Sequence, residues 1–373
     1  MGDKLNVAIA AGGTAGHINP ALALAEELCS RGHDVTFYGQ PNRLESKLVP
    51  DAGYDFRTIR VTGFDRSRPW TLASALVRMR LAERSLRRYF EENGVPDVAV
   101  GFGAYVEMPL LLECHKLGVP YVIHEQNSVA GLANRTCARH AAAVCLSLPE
   151  ARDAFEVADG ADTTLVVTGN PVRRSVVQAS RNAGREAFGV GEHEVMVLVF
   201  GGSLGARHLN EAITRLRDEL LSRSGIHVVH STGAELYDEV VEGLSLSDEE
   251  RRRWAVRPYI SNMGEALAAA DLVISRAGAS SIAEIAALAV PSVLVPYPLA
   301  TGDHQTTNAR FLVNAGAAEL VKDDELDEER FASLVLSLVD DEDRRSAMRS
   351  SAMSLAQDLA ASNVADQVEL ASV

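Results

Sequence analysis

The sequence has few cysteines and aromatic residues and no long apolar run. Only four of its 373 residues are cysteines, and their spacing is not that of a zinc site. We expect all four to be buried, reduced thiols: Cys29, Cys114, Cys137 and Cys145. No stretch reaches the roughly 18 apolar residues that a membrane-spanning helix needs, and no secretion signal is visible at the amino terminus. Any membrane contact is therefore expected to be peripheral.

The sequence also lacks a surplus of positive charge. It has 36 Lys and Arg against 51 Asp and Glu, which gives a net charge of -15. This balance disfavours a nucleic-acid partner, although a local basic patch stays possible. The length, with 47% hydrophobic residues, fits two domains of ordinary size.

Short β-branched runs alternate with helical patterns along most of the chain. The runs occupy residues 7–11, 34–38, 97–100, 121–123, 195–200, 271–275 and 292–295. Such alternation predicts an α/β fold with parallel, doubly wound sheets. The turn sequence GNPVR predicts a domain boundary, so we expect a first domain over 1–172, a second over 173–351, and a final helix over 352–373 that packs back on the first.

The first glycine-rich turn, AGGTAGHINP, joins a strand to a helix. We expect Asn19 to cap this helix and Pro20 to be its first residue. His17 then lies close to the helix start, where a neutral imidazole can take a proton or can simply hydrogen-bond the loop. The turn lacks the GxGxxG pattern and the acidic residue of a dinucleotide site, which argues against a dehydrogenase.

Two further turns of this kind occur at 201–205 (GGSLG) and 275–284 (SRAGASSIAE). Their small residues and the helices that follow suit a diphosphate, although a tight turn without ligand fits equally well. Glu284 could accept hydrogen bonds from a ribose or merely complement the helix dipole. The DxD-like segment at 341–343 reads as a solvated helix start rather than a metal site.

Several segments in this order closely resemble the MurG family of glycosyltransferases. They are GGTAGHINPALALA, GFGAYVEMP, HEQNSVAGLANR, TGNPVR, GGSLGARHLN, SRAGASSIAEIAALAVP and DHQTTNA, and they span roughly residues 7–318. The resemblance implies a GT-B fold of two Rossmann-like domains facing a cleft. It also implies an inverting transferase that needs neither metal nor cofactor.

The reaction implied by the resemblance is transfer of N-acetylglucosamine from UDP-N-acetylglucosamine to lipid I, the undecaprenyl-diphosphate-linked muramyl pentapeptide. The product is lipid II, a precursor of peptidoglycan. The expected location is the cytoplasmic face of the membrane, with other cell-wall synthesis proteins as possible partners. Competing readings are another GT-B enzyme, such as a diacylglycerol glucosyltransferase or a UDP-N-acetylglucosamine 2-epimerase, and a non-catalytic sugar-nucleotide sensor.

The resemblance implies a role for individual residues, with His17 as the base. Residues expected to bind the sugar nucleotide are Thr14, Ala15, Gly16, Asn127, Arg173, Ser203, Ile260, Ala279, Ser280, Ser281, Ile282, Ala283, Glu284 and Gln305. The chain departs from the family at Ala15 and Ala104, where glycine is usual. If Ala15 has a positive φ, the loop stores strain of about 1 kcal/mol.

The segment from Arg66 to Phe90 is the expected membrane-docking surface. Apolar residues recur near helical spacing from Trp70 onward, and seven arginines lie among them. This pattern is typical of an anionic lipid interface. A core helix with solvated arginines explains most of the same pattern.

Overall fold

The computed structural model describes residues 3–61, 70–155, 163–355 and 359–373, except for the side chains of residues 71 and 72. The chain divides into two compact units. The first contains Met1–Arg173 together with Leu359–Val373, and the second contains Arg174–Asp358.

The first unit is an alternation of strands and helices. Its strands are β1 (Asn6–Ala10), β2 (Asp34–Gly39), β3 (Asp55–Thr58), β4 (Val98–Gly101), β5 (Tyr121–Glu125), β6 (Ala143–Leu146) and β7 (Thr164–Val167). The α-helices before the crossing are α1 (Ala15–Ser30), α2 (Glu45–Asp51), α3 (Thr71–Asn93), α4 (Glu107–Lys116) and α5 (Leu132–Cys137), and the 3-10 helices are Ala138–His140 and Pro149–Phe155.

The second unit repeats this alternation. Its strands are β8 (Val195–Phe200), β9 (Ile226–Ser231), β10 (Trp254–Arg257), β11 (Leu272–Ser275), β12 (Ser292–Leu294) and β13 (Ala318–Leu320). Its α-helices are α6 (Arg174–Val177), α7 (Arg181–Phe188), α8 (Arg207–Arg215), α9 (Arg217–Leu221), α10 (Tyr237–Leu244), α11 (Met263–Ala269), α12 (Ala279–Ala287), α13 (His304–Val313), α14 (Glu329–Asp340) and α15 (Glu342–Met353). Its 3-10 helices are Ala234–Leu236, Glu250–Arg252, Thr301–Asp303 and Asp323–Glu325.

Each unit has one parallel sheet in its described residues. The strand order is β3-β2-β1-β4-β5-β6-β7 in the first and β10-β9-β8-β11-β12-β13 in the second. In both sheets the order reverses beside the first strand of the unit, between β1 and β4 and between β8 and β11. Open parallel sheets bind ligands beyond the carboxyl ends of the strands at such a reversal. The predicted α/β class with two Rossmann-like units is confirmed.

Apolar side chains fill both faces of each sheet. In the first unit one core contains Ile9, Leu24 and Val100, and the last helix, α16 (Ala360–Ala371), adds Val364 and Val368 to it. α16 packs on α1 and on β4, β5 and β6. The last residues of the chain thus complete the core of the unit in which the chain begins.

Polar contacts fix α16 as well. Arg31, just after α1, forms ion pairs with Asp366 at 2.7 Å and Glu369 at 3.1 Å. The His33 ring is 3.0 Å from the Glu369 carboxylate. These contacts set the position of the helix along α1, which the apolar contacts alone leave less defined.

Two expectations from the sequence are wrong. The first concerns the start of α1, which is Ala15, with Thr14 in an extended N-cap conformation and Pro20 inside the helix. The amides of His17 and Ile18 already bond to the Thr14 carbonyl, so the helix begins five residues before Pro20. The second concerns Cys29, which is exposed, whereas Cys114, Cys137 and Cys145 are buried.

Candidate active site

His17 lies in the first turn of α1, beyond the carboxyl end of the central strand β1. Its Nδ1 is 3.0 Å from the Gly12 carbonyl oxygen and 3.3 Å from the Thr14 hydroxyl. A carbonyl only accepts hydrogen bonds, so Nδ1 carries the proton and Nε2 keeps its lone pair. The loop thereby selects the tautomer in which Nε2 can act as a base.

Burial and the nearby carboxylates act on the His17 imidazole in opposite directions. Burial lowers the pKa of His17, while the Glu125 carboxylate, the bond to Gly12 and the Glu45 carboxylate oppose that effect. The pKa stays below its usual value, so the imidazole is neutral at neutral pH, which is the form that accepts a proton.

Three buried glutamates hold the loops around His17. Glu45 accepts from the amides of Gly13 at 3.2 Å and Gln40 at 3.1 Å. Glu107 accepts from the Gly103 amide at 2.5 Å. Together with Glu125, these carboxyl groups tie down the loops after β1, β2, β4 and β5. Sequence reasoning missed all three as site residues, although Glu125 belongs to the HEQN segment.

Glu125 also fixes the loop that follows β5. One of its oxygens accepts from the Asn127 amide at 3.0 Å, and the other accepts from Asn134 Nδ2 at 2.7 Å and the Gly131 amide at 2.9 Å. Asn127 therefore lies on the same loop system as His17, at the carboxyl edge of the sheet. The histidine of HEQN is structural: the buried His124 bonds to the Gly169 carbonyl, and burial lowers its pKa to about 4.

Gly103 lies directly against His17, and Ala104 is the next residue of the same loop. A β-carbon at Gly103 would be 3.3 Å from His17 Nε2, and the φ of Gly103 is +88°. Glycine is needed here both for the backbone angle and to leave Nε2 accessible. Ala104 has a φ of +65°, whereas Ala15 is a normal helical residue. The suspected strain is therefore present at Ala104 and absent at Ala15.

The second unit presents two glycine-rich turns at the reversal of its sheet. The turn after β8 includes the exposed Ser203 and leads into α8, and the turn after β11 leads into α12. Gly205 has a φ of +79°, and a β-carbon there would be 1.9 Å from the Thr232 carbonyl oxygen. Only glycine fits this position, so the turn is closely packed on its neighbour.

The expected donor-binding residues of α12 form its first turns. Ala279, Ser280, Ser281, Ala283 and Glu284 are half-buried there, while Ile282 is buried in the core. The amide groups of a helix amino terminus and its dipole favour a bound anion.

A charged network connects three loops at this edge. Arg276, which is 7% exposed, donates to the carbonyls of Val295 and Pro296 and pairs with Asp323 at 2.5 Å. His208 Nδ1, in α8, is 2.9 Å from the other Asp323 oxygen. Burial raises the pKa of Asp323, but the bonds from His208 and Arg276 outweigh it and leave the pKa below its usual value. None of these three residues was predicted from the sequence.

Three other predicted sugar-nucleotide residues lie outside the glycine-rich turns: Gln305, Ile260 and Arg173. Gln305 Oε1 accepts from the amides of Ala277 and Tyr297 at 3.2 and 2.9 Å, so this side chain joins two loops of the second unit. Ile260 is buried in the core. Arg173 is the last residue of the first unit's main segment and pairs with Glu26 of α1 at 2.9 Å. The structure therefore assigns Arg173 to the first unit, where the sequence placed it in the second.

The acidic segment at 341–343 starts a helix, as expected. Asp341 caps α15 by accepting from the Arg344 amide at 2.8 Å. Within the described part of the chain, no group of three or more His, Cys, Asp or Glu side chains has the arrangement of a metal site.

Comparison with known proteins agrees with this geometry. Residues 7–146 match the N-terminal domain of glycosyltransferase family 28, and residues 196–368 match its C-terminal domain. A relative from Salinibacter ruber is 40% identical over 97% of this chain and 96% of its own length, and one from Halothermothrix orenii is 38% identical over 96% of both. Both are named UDP-N-acetylglucosamine--N-acetylmuramyl-(pentapeptide) pyrophosphoryl-undecaprenol N-acetylglucosamine transferase.

Solved structures give the same result. The crystal structure of Acinetobacter baumannii MurG has a TM-score of 0.74 and 30% identity, over 99% of this chain and 100% of that one. A Listeria monocytogenes protein assigned as a UDP-N-acetylglucosamine 2-epimerase has a TM-score of 0.69 but only 14% identity, over 96% and 94% of the chains, so it shares the fold alone. The chain belongs to the MurG proteins of glycosyltransferase family 28.

Proposed function

We propose that this chain transfers N-acetylglucosamine from UDP-N-acetylglucosamine to the muramyl-pentapeptide of undecaprenyl-diphosphate-linked lipid I, with inversion at the anomeric carbon. The observation that carries the mechanism is the 3.0 Å contact between His17 Nδ1 and the Gly12 carbonyl oxygen, from which we infer the tautomer with a free Nε2. The names and full-length similarity of the relatives support the choice of substrates.

The reaction is a single displacement. The acceptor hydroxyl oxygen attacks the anomeric carbon while the bond from that carbon to the diphosphate oxygen breaks, and UDP leaves. The hydroxyl proton passes to His17 Nε2, and the resulting imidazolium is stabilised by the nearby carboxylates of Glu125 and Glu45.

The second unit supplies the donor site in this proposal. The amino termini of α8 and α12 take the diphosphate and stabilise the charge that develops on the leaving group. Ser203, Ser280 and Ser281 add hydroxyl groups, and Glu284 accepts from the ribose. The Arg276–Asp323–His208 network holds these turns in place.

The test of the base is His17→Ala, with the exposed His193→Ala as the matched control. The kcat of His17→Ala should fall at least about a hundredfold, which is the lower end of the contribution of a general base. Its affinity for UDP-N-acetylglucosamine, measured by calorimetry, should stay unchanged. In the wild type, kcat should rise with pH through a pKa below the ordinary histidine value. Near-normal turnover of the variant on a lipid I analogue would rule out the role.

We further propose that the protein works at the cytoplasmic face of the membrane as a peripheral protein. No helix in the described residues is long and apolar enough to cross a bilayer. α3 instead presents large exposed apolar side chains: Trp70 at its N-cap is 73% exposed, Val77 59% and Leu81 56%. Arg66 and Arg68, which the sequence also assigned to this surface, lie outside the described residues.

Replacing Trp70, Val77 and Leu81 by serine tests this surface, since an interfacial helix binds through its buried apolar area and its cations. The triple variant should bind phosphatidylglycerol vesicles more weakly in flotation. Val95 and Leu117 are exposed elsewhere in the unit, and their replacement by serine is the control. Equal binding by both variants would move the docking surface away from α3.

A further inference from the structure

A groove of about 730 Å³ lies in the first unit between α3 and the segment that follows β3. Its inner wall is apolar: Ile59, Val61 and Leu86 are buried there, beside the rings of Tyr38 and Tyr89. The volume lies within the range of about 300–1,000 Å³ that is usual for ligand sites. The groove can therefore take a section of a hydrocarbon chain.

The groove has a cationic rim. Arg57, Arg60 and Arg78 line it, and none of the described residues that line it is acidic. This is unusual in a chain with 51 acidic and 36 basic residues. The Arg57 guanidinium lies 5.4 Å from the centre of the Tyr89 ring, which holds it beside the apolar wall. Cations above an apolar wall are complementary to an amphiphile with an anionic head.

The groove opens at the same edge of the sheet as His17. It follows the carboxyl end of β3, two strands away from β1, which is about 10 Å at the usual spacing of strands. Hydrogen bonds connect the two places: Gln40 Nε2 donates to the Val61 carbonyl at 3.0 Å, the Gln40 amide donates to Glu45, and Glu45 also holds the Gly13 amide.

We propose that this groove binds the polyprenyl diphosphate part of the acceptor. The arginines take the diphosphate, and the apolar wall takes the first isoprenoid units. Leu81 both lines the groove and belongs to the exposed apolar surface of α3, so the chain can continue from the groove into a bilayer. The identity of the ligand rests on the proposed function, while the groove and its charge do not.

The test is direct binding of a sugar-free polyprenyl diphosphate in detergent micelles, measured by calorimetry without any UDP-sugar. Ser85 is exposed and lines the groove, so Ser85→Trp should fill it without disturbing the core. Arg88→Trp places the same bulk on an exposed position of α3 outside the groove. We expect binding at least about tenfold weaker in Ser85→Trp, which corresponds to about two unburied methylene groups, and unchanged binding in Arg88→Trp.

A second pair of variants tests the head group. Arg57→Gln with Arg60→Gln should weaken binding and reduce its dependence on salt. Arg80→Gln with Arg84→Gln, which removes the same charge from α3 outside the groove, should change neither. Normal binding by Ser85→Trp would overturn the proposal. The proposal would also be overturned if Ser85→Trp lost binding to phosphatidylglycerol vesicles to the same extent as binding to polyprenyl diphosphate. The groove would then hold a membrane phospholipid.

Turnover separates this proposal from the proposed function. Ser85→Trp should raise the KM for a polyprenyl acceptor but not for a short-chain, water-soluble one. An equal effect on both acceptors would remove the groove from the acceptor site. A wild type that binds polyprenyl diphosphate but transfers sugar to neither acceptor would retain the groove and refute the proposed function.

Discussion

The protonation of Glu107 makes the stability of the first unit depend on pH in an unusual direction. The side chain is fully buried, and burial raises its pKa from 4.5 to about 8, although the bond from the Gly103 amide favours the ionised form. The neighbouring Glu125 carboxylate raises the pKa further. At neutral pH the folded unit therefore holds a proton that the unfolded chain releases.

The sign and size of the effect follow from this difference. Between the unfolded pKa and the folded pKa the native state binds more protons, so the free energy of unfolding falls as pH rises. The loss is about 1.4 kcal/mol per pH unit and reaches about 3 kcal/mol at pH 7. It is absent well below the unfolded pKa and levels off above about pH 8. Tyr121 and Cys137 also face Glu107, but burial raises the pKa of both, so they stay neutral in this window.

Glu107→Gln removes this pH dependence of the free energy of unfolding, and the new side chain has nearly the same shape as the old one. The amide oxygen can still accept from Gly103, but the new NH₂ group replaces an oxygen that has no partner in the described residues. The protonated carboxyl already leaves one unpaired hydrogen at this oxygen, and the amide leaves two. The two proteins should therefore be close in stability at about pH 5, and Glu107→Gln should be the more stable by about pH 8, because only the wild type loses stability over this range.

Hydrogen exchange of peptides from β4 and α4, compared at equal pH, measures the local unfolding free energy, and urea unfolding measures the global value. The exposed Glu150→Gln is the control, since it removes a carboxylate without removing a buried proton. A difference between wild type and Glu107→Gln that stays constant from about pH 5 to 8 would refute the protonation of Glu107.

Three further changes have defined outcomes. Ala104→Gly relieves the left-handed strain and should stabilise the first unit by up to about 1 kcal/mol in urea unfolding; any loss of stability would contradict the strain. Arg31→Ala removes the contacts to α16 and should cost about 1 kcal/mol, since the pairs are partly exposed, with faster hydrogen exchange confined to α16 and α1. Asp323→Asn loosens Arg276 and should raise the calorimetric Kd for UDP-N-acetylglucosamine several-fold while the KM for the acceptor stays unchanged; an equal rise in both would assign Asp323 to general stability.

The strands that build the reversal of each sheet could be predicted from the sequence because they are continuous apolar runs. β1 and β8 are of this kind, and the glycine-rich turns mark their ends. β3 was missed because it is a short edge strand with exposed residues. β9 was missed because His227 and His230 interrupt its apolar pattern; burial keeps both histidines neutral and lowers the pKa of His230 to about 3.

The position of His17 near the start of α1 could be predicted, but not the contacts on which its proposed role as a base depends. Its tautomer depends on the Gly12 carbonyl, and the loops around it depend on glutamates that lie 28 to 108 residues from His17 along the chain (45−17 and 125−17). A buried carboxylate that bonds to a backbone amide has no sequence pattern of its own, because its partner is any residue that the fold brings near. The charged network of Arg276 and Asp323 was invisible for the same reason.

The division of the chain has a consequence for the order of events during synthesis. The first unit needs α16, which leaves the ribosome only after all of Arg174–Asp358. Translation proceeds at about 5–20 residues per second. The apolar face of α1 that packs against Val364 and Val368 therefore stays uncovered for roughly ten to forty seconds. The second unit, made from one continuous stretch, can be folded before the first is finished. Until then, the nascent first unit is expected to depend on chaperones that cover this face.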